Sequence, residues 1–438
     1  MIKILCTGDW HIGNVFHGID RTAEHRHFFE WLEGMLIERQ PDALLVAGDV
    51  FDNSNPSAEA QSLYYGFLDR ATHAVQGLQV VVTSGNHDSG NRLEAPRHLL
   101  LRHGVEVRGS LRRLRSNSTD SSEATAEYND LLVPLHDKEG RPAAVVATLP
   151  YLRLEQTAGG NYSDGVRKVM KELCTIGRER YKGLPLVMMA HLYASGAEIA
   201  EGSSERIVGG QEQVALDSWE GHPDYFTCGH IHKRQPIWGT DWARYTGSIL
   251  PMSFAERGYR HGVDLVSIGQ DGKPEVEFIE YHVQHPLVSL PSDGAADEST
   301  LLQLIAALPS RSEAKPSEHC VYLELKLKSD NVQAEVVQKL HDTVERKDAI
   351  ICRMEKVMPD IEIRSMNGEE VFNTVDAIMK RDPMDALEEC FEIKNGKGSL
   401  GERRRQLLEQ VVRACASETA QQDDADPPPP SSPEDHTI

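Results

Sequence analysis

The chain has 438 residues, of which 39% are hydrophobic and 26% charged, with a formal net charge of −22. No apolar run approaches the ~20 residues that a membrane helix needs, and the segment from Met1 reaches Asp9 and His11 before a secretion signal could form. The seven cysteines are scattered and contain no CxxC pair, so membrane, secreted and cysteine-scaffold classes are excluded and a cytoplasmic setting is expected.

Taken in chain order, short apolar runs alternate with amphipathic stretches up to about residue 285, the mark of an α/β or mixed-sheet domain. Ile2–Thr7 reads as a buried strand, Arg21–Arg39 as a helix stopped by Pro41, Ala43–Ala47 as a strand, and Ala58–Val75 as a second helix. Leu78–Thr83 is a third strand, rich in β-branched residues; Leu93–Arg102 is predicted as a helix, with a short strand near Val105. Residues 109–130 are polar and read as a flexible hairpin insert. Further strands are predicted at Ala143–Thr148, Leu184–Ala190, Tyr225–Cys228, Arg244–Thr246 and Val263–Ile268, with a helix near Val166–Arg180. Pro286–Ser299 has the Pro, Gly, Ser and Asp content of a linker. Beyond it, Val321–Lys328, Val332–Arg346 and Ile350–Val357 form a compact strand–helix–strand module, 384–416 reads as amphipathic helices, and 417–438 as an acidic, proline-rich disordered tail.

The chemistry lies in short signatures that each follow a predicted strand: Asp9-Trp-His11, Gly48-Asp49-Val-Phe-Asp52, Gly85-Asn86-His87-Asp88, His191, and Gly229-His230-Ile-His232. Ligands of open α/β sheets bind beyond the carboxyl ends of the strands, so these residues are expected to converge on one rim. In an extended segment, residues i and i+2 leave the same face, which makes Asp9 with His11, and His230 with His232, pincers of adjacent donors. Asp49 has two oxygens and can bridge two cations; Asn86 offers an uncharged oxygen. Asp9, His11, Asp49, Asn86, His191, His230 and His232 are therefore the candidate metal ligands, an oxygen and imidazole set that suits Mn²⁺, Fe²⁺ or Zn²⁺. Two cations roughly 3.5–4 Å apart suit displacement at phosphorus. His87 is placed to protonate the leaving oxygen, and Asp88 to fix the orientation of His87. Most of the 19 histidines, among them His17, His25 and His261, read instead as surface or packing residues.

The signature series resembles that of the calcineurin-like metallophosphoesterases over residues 1 to about 285. Longer stretches, DWHIGN from Asp9, GSSERIVGG from Gly202, GHIHKRQ from Gly229 and YTGSILPMSFAE from Tyr245, are similar to the SbcD-type nuclease family. The resemblance implies an α/β (α+β) fold: a four-layer sandwich of two mixed sheets flanked by helices (1–285), with a small αβ capping domain (286–383) and C-terminal helices (384–416) that bind an ATPase partner. It assigns one cation to Asp9, His11, Asp49 and His232, the other to Asp49, Asn86, His191 and His230, and the phosphate-facing acid to His87. It further implies two divalent ions, Mn²⁺ expected, and a DNA nuclease that is a 3′–5′ exonuclease on double-strand ends and an endonuclease on single strands and hairpins. The partners it implies are DNA and an SbcC-type coiled-coil ATPase, in a heterotetramer containing a dimer of this chain, with no membrane. A chain of charge −22 holds nucleic acid poorly by itself, so the basic DNA track would come from the partner. Arg21, Lys233 and Arg234 are candidate DNA contacts or solvated surface charges. The competing readings are a phosphomonoesterase or cyclic-nucleotide phosphodiesterase on the same fold, and a scaffold that has lost its chemistry, which the complete donor set disfavours.

Overall fold

In the computed structural model, the described residues are 1–111, 128–157, 161–203, 213–215, 219, 221–269, 271–313, 315–329 and 334–357. Strands Ile2–Thr7, Ala43–Ala47, Gln79–Thr83 and Val105–Arg108 run parallel, and one edge of their sheet is extended antiparallel by His261–Ile268 and then Pro274–Tyr281. A second six-stranded sheet has the order Gln235–Pro236, Ala243–Tyr245, Tyr225–Gly229, Leu186–His191, Pro142–Leu149, Leu132–His136.

The near-continuous apolar runs of the central strands are explained by cover on both faces. Ile2, Ile4, Cys6, Ala43, Leu45 and Val81 meet Val146, Val187 and Met189 of the second sheet in one core between the sheets. The alternate residues Leu5, Leu44, Val46, Val80 and Val82 pack against Phe28, Leu32, Phe67 and Leu68 of helices Thr22–Arg39 and Ala58–Ala74. Helix Tyr162–Arg180 covers the outer face of the second sheet through Val166, Val169, Met170 and Leu173. The layers are thus helix, sheet, sheet, helix, as the resemblance implied. Local signals agree with the helix starts: Ser57 Oγ accepts from Ala60 N (3.1 Å) and Asn161 Oδ1 from Asp164 N (2.8 Å).

Three expectations are corrected. Leu93–Arg102 is not one helix but two short ones, Gly90–Glu94 and Arg97–Leu100, followed by a 3₁₀ turn at Leu101–His103; Pro96, which has no N–H to give, separates them. Pro286–Ser299 is not a linker: Leu287–Leu290 pairs in parallel with Val321–Lys328, and Glu298 begins helix Glu298–Ala306, capped by Asp297. The small module is therefore a three-stranded parallel sheet, completed by Ala349–Val357, with helices Glu298–Ala306 and Ala334–Val344 packed together through Leu301, Ile305, Leu340 and Val344. Its short strand was hidden by flanking proline and serine, and the pairing that defines it is with residues 35 positions away (Leu287 with Tyr322). Strands Leu132–His136 and Pro274–Tyr281 also escaped the sequence reading; the latter alternates Glu275 and Glu277 with Val276 and Phe278 on a half-exposed edge. Most of the 109–130 insert, the 384–416 helices and the tail lie outside the described residues.

Two buried imidazoles make stability depend on pH. His25 reaches the carbonyls of Trp10 (2.8 Å) and Arg21 (2.9 Å), and His261 that of Ser248 (2.8 Å). Burial pushes each pKa down to about 4. The unfolded chain takes up these protons near pH 6.5 while the folded chain refuses them, so their contribution is whole above pH 6.5 and is lost as pH falls towards 4, at about 1.4 kcal/mol per pH unit for each group. Urea unfolding midpoints measured between pH 7.5 and 4.5 are expected to fall steeply, and the double variant His25→Gln, His261→Gln to flatten that fall. An unchanged slope in the variant would refute the assignment.

Candidate metal centre

Every signature lies at the carboxyl end of a parallel strand. Asp9 follows Ile2–Thr7, Asp49 follows Ala43–Ala47, Asn86 follows Gln79–Thr83, His191 ends Leu186–His191, and His230 follows Tyr225–Gly229. The first two loops are zipped together by Asp9 N to Gly48 O (3.1 Å), His11 N to Asp49 O (2.9 Å) and Ile12 N to Val50 O (3.0 Å). Between Asp9 and His11, Trp10 points into the helical layer, donating Nε1–H to Thr7 Oγ1 (3.0 Å) and meeting Phe29 and Phe67 edge-on at 4.9 and 5.6 Å.

The residues do converge, but not by the route the spacing suggested. Asp9, His11, Asp49 and His230 are not extended; their φ angles are 49°, 46°, 45° and 97°, in the left-handed region that side chains rarely adopt. Such strain persists only where packing imposes it, and it clusters at functional sites. Two glycines permit the close approach. A Cβ on Gly85 would stand 2.0 Å from Asp49 Oδ1, and one on Gly229 2.0 Å from Ala47 O.

Asp49 is central. Its Oδ2 lies 3.3 Å from His191 Nε2 and 3.7 Å from His11 Nε2, and its Oδ1 accepts from His87 N (2.9 Å). Asp9, Asp49 and His191 place ligand atoms within 4.8 Å of one another, and so do His11, Asp49 and His87, with Asp49 common to both groups. Asn86 Oδ1 stands 3.0 Å from His191 Nε2 and 2.9 Å from His230 Nδ1. His191 donates its Nδ1–H to Ala47 O (2.9 Å), which leaves Nε2 as the atom turned to Asp49 and Asn86. Asp9 accepts from His230 N at 2.9 and 3.1 Å and lies 3.8 Å from His191 Nδ1. His232 packs edge-on against His11, ring centroids 5.2 Å apart. Asp9 lies within electrostatic reach of His191, His232 and His11 as well as of Asp49.

Electrostatics mark the place as one built for positive charge. Burial holds the Asp9 carboxyl above its usual range, Asp49 adding to the effect. Burial acts the same way on Asp49, but His191, His11 and His87 outweigh it and hold that carboxylate well below its ordinary value. Burial would lower His191; Asp49 and Asp9 win and raise it to about 9, while burial and His191 push His230 down to about 3. Among the described residues, neither ring nitrogen of buried His11 makes a hydrogen bond. Buried carboxylates with imidazole nitrogens turned among them, and no sulfur donor, fit divalent cations of the Mn²⁺, Fe²⁺ or Zn²⁺ kind.

His87 is the exposed member of the set. Its Nδ1–H donates to Asp52 O (2.8 Å), so Nε2 is the atom left to meet a substrate. The partner that orients His87 is therefore Asp52, not Asp88. The Asp88 carboxylate accepts from Val50 N (3.1 Å), Phe51 N (3.0 Å) and Gly85 N (2.9 Å), tying the Asp49 loop to the Asn86 loop; burial, with Asp49, raises it to about 6. Asp52 Oδ1 also lies 3.4 Å from His11 Nδ1 and accepts from Asn14 Nδ2 (3.0 Å). Sequence reasoning quoted Asp52 within its motif but gave it no role, because the contact runs through its backbone oxygen. Each of the candidate DNA cations has a carboxylate partner. Arg21 is wholly buried, paired with Glu24 at 2.8 Å through both Nε and Nη2, and donates to Pro251 O (2.6 Å); Lys233 pairs with Glu198, and Arg234 with Asp264 (2.8 Å) over the ring of Phe278.

A profile described as calcineurin-like phosphoesterase matches residues 2–234, more than half of the chain. The SbcD protein of the nuclease SbcCD from Rhodobacter capsulatus is 36% identical over 357 residues, covering 78% of this chain and 84% of that one. The chain belongs to the SbcD family of calcineurin-like phosphoesterases. Within that family, the SbcD protein of the Escherichia coli K12 nuclease SbcCD is 27% identical across 94% of this chain and 96% of its own length, and that of Bacillus subtilis 28% identical across 63% and 68%. A second profile, described as a type 5 capsule protein repressor C-terminal domain, matches residues 283–395 of this phosphoesterase and so includes the three-stranded module. No helix among the described residues is long and apolar enough to cross a membrane.

Proposed function

We propose that this phosphoesterase is a two-metal DNA nuclease, acting as a 3′–5′ exonuclease on double-strand ends and as an endonuclease on single strands and hairpins. It works with an SbcC-type ATPase and DNA in a heterotetramer built on a dimer of this chain, with Mn²⁺ as the working ion. The observation that carries this reading is the Asp49 carboxylate common to two donor groups, one with Asp9 and His191 and the other with His11 and the exposed imidazole of His87. In it, Asp9, His11, Asp49 and His232 hold one cation, and Asp49, Asn86, His191 and His230 the other. Two divalent ions in this cradle supply Lewis acidity at phosphorus and neutralise charge building on the phosphate oxygens. The chain's own residues do the rest. Asp52 holds Nδ1 of His87 by its carbonyl, so that a proton on Nε2 is delivered to the departing oxygen. Asp88 keeps the Asp49 and Asn86 loops in register, a positioning role in place of the catalytic one read from sequence.

Hydrolysis of plasmid, single-stranded and hairpin DNA in Mn²⁺, run beside a small aryl phosphodiester, tests the reading. Cutting of all three DNAs is expected; hydrolysis of the small ester with every DNA left intact would favour the small-substrate phosphodiesterase and overturn it. The 286–383 capping domain and the 384–416 helices extend the proposal to the partner. Deleting 384–415 is expected to spare Mn²⁺-dependent cutting of single strands and to abolish stimulation by ATP and the ATPase. Continued co-purification with the ATPase would overturn the helix assignment.

A further inference from the structure

The YTGSILPMSFAE stretch ends in an acid that the proposed site does not use. Glu256 closes the 3₁₀ turn Phe254–Glu256 and is wholly buried. Phe254 anchors that turn in an apolar cluster with Phe16, Leu287 and Tyr322, which reaches from the Asp9–Asp20 loop to the three-stranded module. The two carboxylate oxygens of Glu256 have different surroundings. Oε1 accepts from Ser203 Oγ (3.0 Å) and Ser253 Oγ (3.0 Å). Oε2 accepts from Met252 N (2.9 Å) and faces Nδ1 of His232 at 3.4 Å. The serines and the amide thus fix the plane of the carboxylate, and that plane presents an acceptor to one nitrogen of one candidate ligand.

We propose that Glu256 is the positioning residue for His232: it accepts the Nδ1–H, sets the tautomer and ring plane, and reserves Nε2 as the lone pair for a cation. An acceptor-only carboxylate is the group that imposes this tautomer, and a small turn of the ring brings 3.4 Å to hydrogen-bond length. The Ser203 hydroxyl adds to the same brace. The proposal rests on the reading of His232 as a ligand and goes beyond it by naming what makes the imidazole one.

The test titrates full-length protein, freed of metal, with Mn²⁺ by calorimetry, comparing wild type, Glu256→Gln, His232→Ala and the double variant Ser203→Ala, Ser253→Ala. The nitrogen chemical shifts of His232 are read in the metal-free state. Glu256→Gln is expected to weaken one of two ions by roughly 10–100-fold, leave the other unchanged, and shift the His232 tautomer away from Nδ1–H, with a metal-free melting temperature near that of wild type. Wild-type affinity at both ions together with an unchanged tautomer would overturn the positioning role. If His232→Ala itself leaves both ions bound as in wild type, the ligand reading falls, and the positioning role with it. Should Glu256→Gln not fold, the double serine variant carries the test: a smaller loss at the same single ion supports the proposal, and unchanged affinities overturn it.

Discussion

Asp49→Asn is expected to loosen both cations together and to bring phosphodiester hydrolysis below detection. Asp49 Oδ2 lies between His191 and His11, and its carboxylate belongs to both donor groups, so the substitution removes one negative charge from each. The amide keeps an oxygen for His87 N, which Oδ1 holds at 2.9 Å, so the loop geometry survives and the loss is one of charge. Loss of a partner that merely orients a ligand costs roughly 10–100-fold in metal affinity; loss of the shared ligand charge is expected to exceed that at each ion. Calorimetric titration with Mn²⁺ measures both steps. Retention of one ion at wild-type affinity would show that Asp49 serves a single cation and would overturn its bridging role.

His87→Gln separates a proton donor from a ligand. His87 is exposed, and its Nδ1 is already given to Asp52 O, so the variant is expected to keep both cations while DNA hydrolysis falls by about 10²–10⁴-fold, the usual contribution of general acid catalysis. An aryl phosphodiester, whose leaving group departs without a proton, is expected to lose far less. The comparison of the two substrates gives the assignment its content: an equal loss on both would assign His87 to charge stabilisation, and a lost cation would make it a ligand, as its place beside His11 and Asp49 allows.

The candidate site was largely legible in the sequence because its parts are local. The first donor of each signature sits one to three residues beyond an apolar run, and a parallel strand buried on both faces must be such a run, so the strand and the candidate ligand announce each other. What could not be read was the backbone that delivers them. The i, i+2 argument assumed extended segments, whereas Asp9 and His11 are held in left-handed conformations by hydrogen bonds to Gly48 and Asp49, some forty residues away in the chain. Asp88 was misjudged for a related reason: adjacency to His87 says nothing of where a carboxylate points, and three backbone amides of two loops claim it.

The same division runs through the whole chain. By itself the sequence determined the donor chemistry, the order of the candidate ligands and the alternation of apolar strand and amphipathic helix, because hydrophobic period and residue type are properties of short segments. Tertiary structure alone decided that Leu287–Leu290 is a strand, that Arg21 is a buried brace on Glu24 rather than a hand held out to DNA, and that Asp52 and Glu256 face imidazoles. Each of these depends on a partner 3 to 230 positions distant. A hydrogen bond or ion pair acts over a few ångströms of space, and only the folded chain sets which residues lie within that reach.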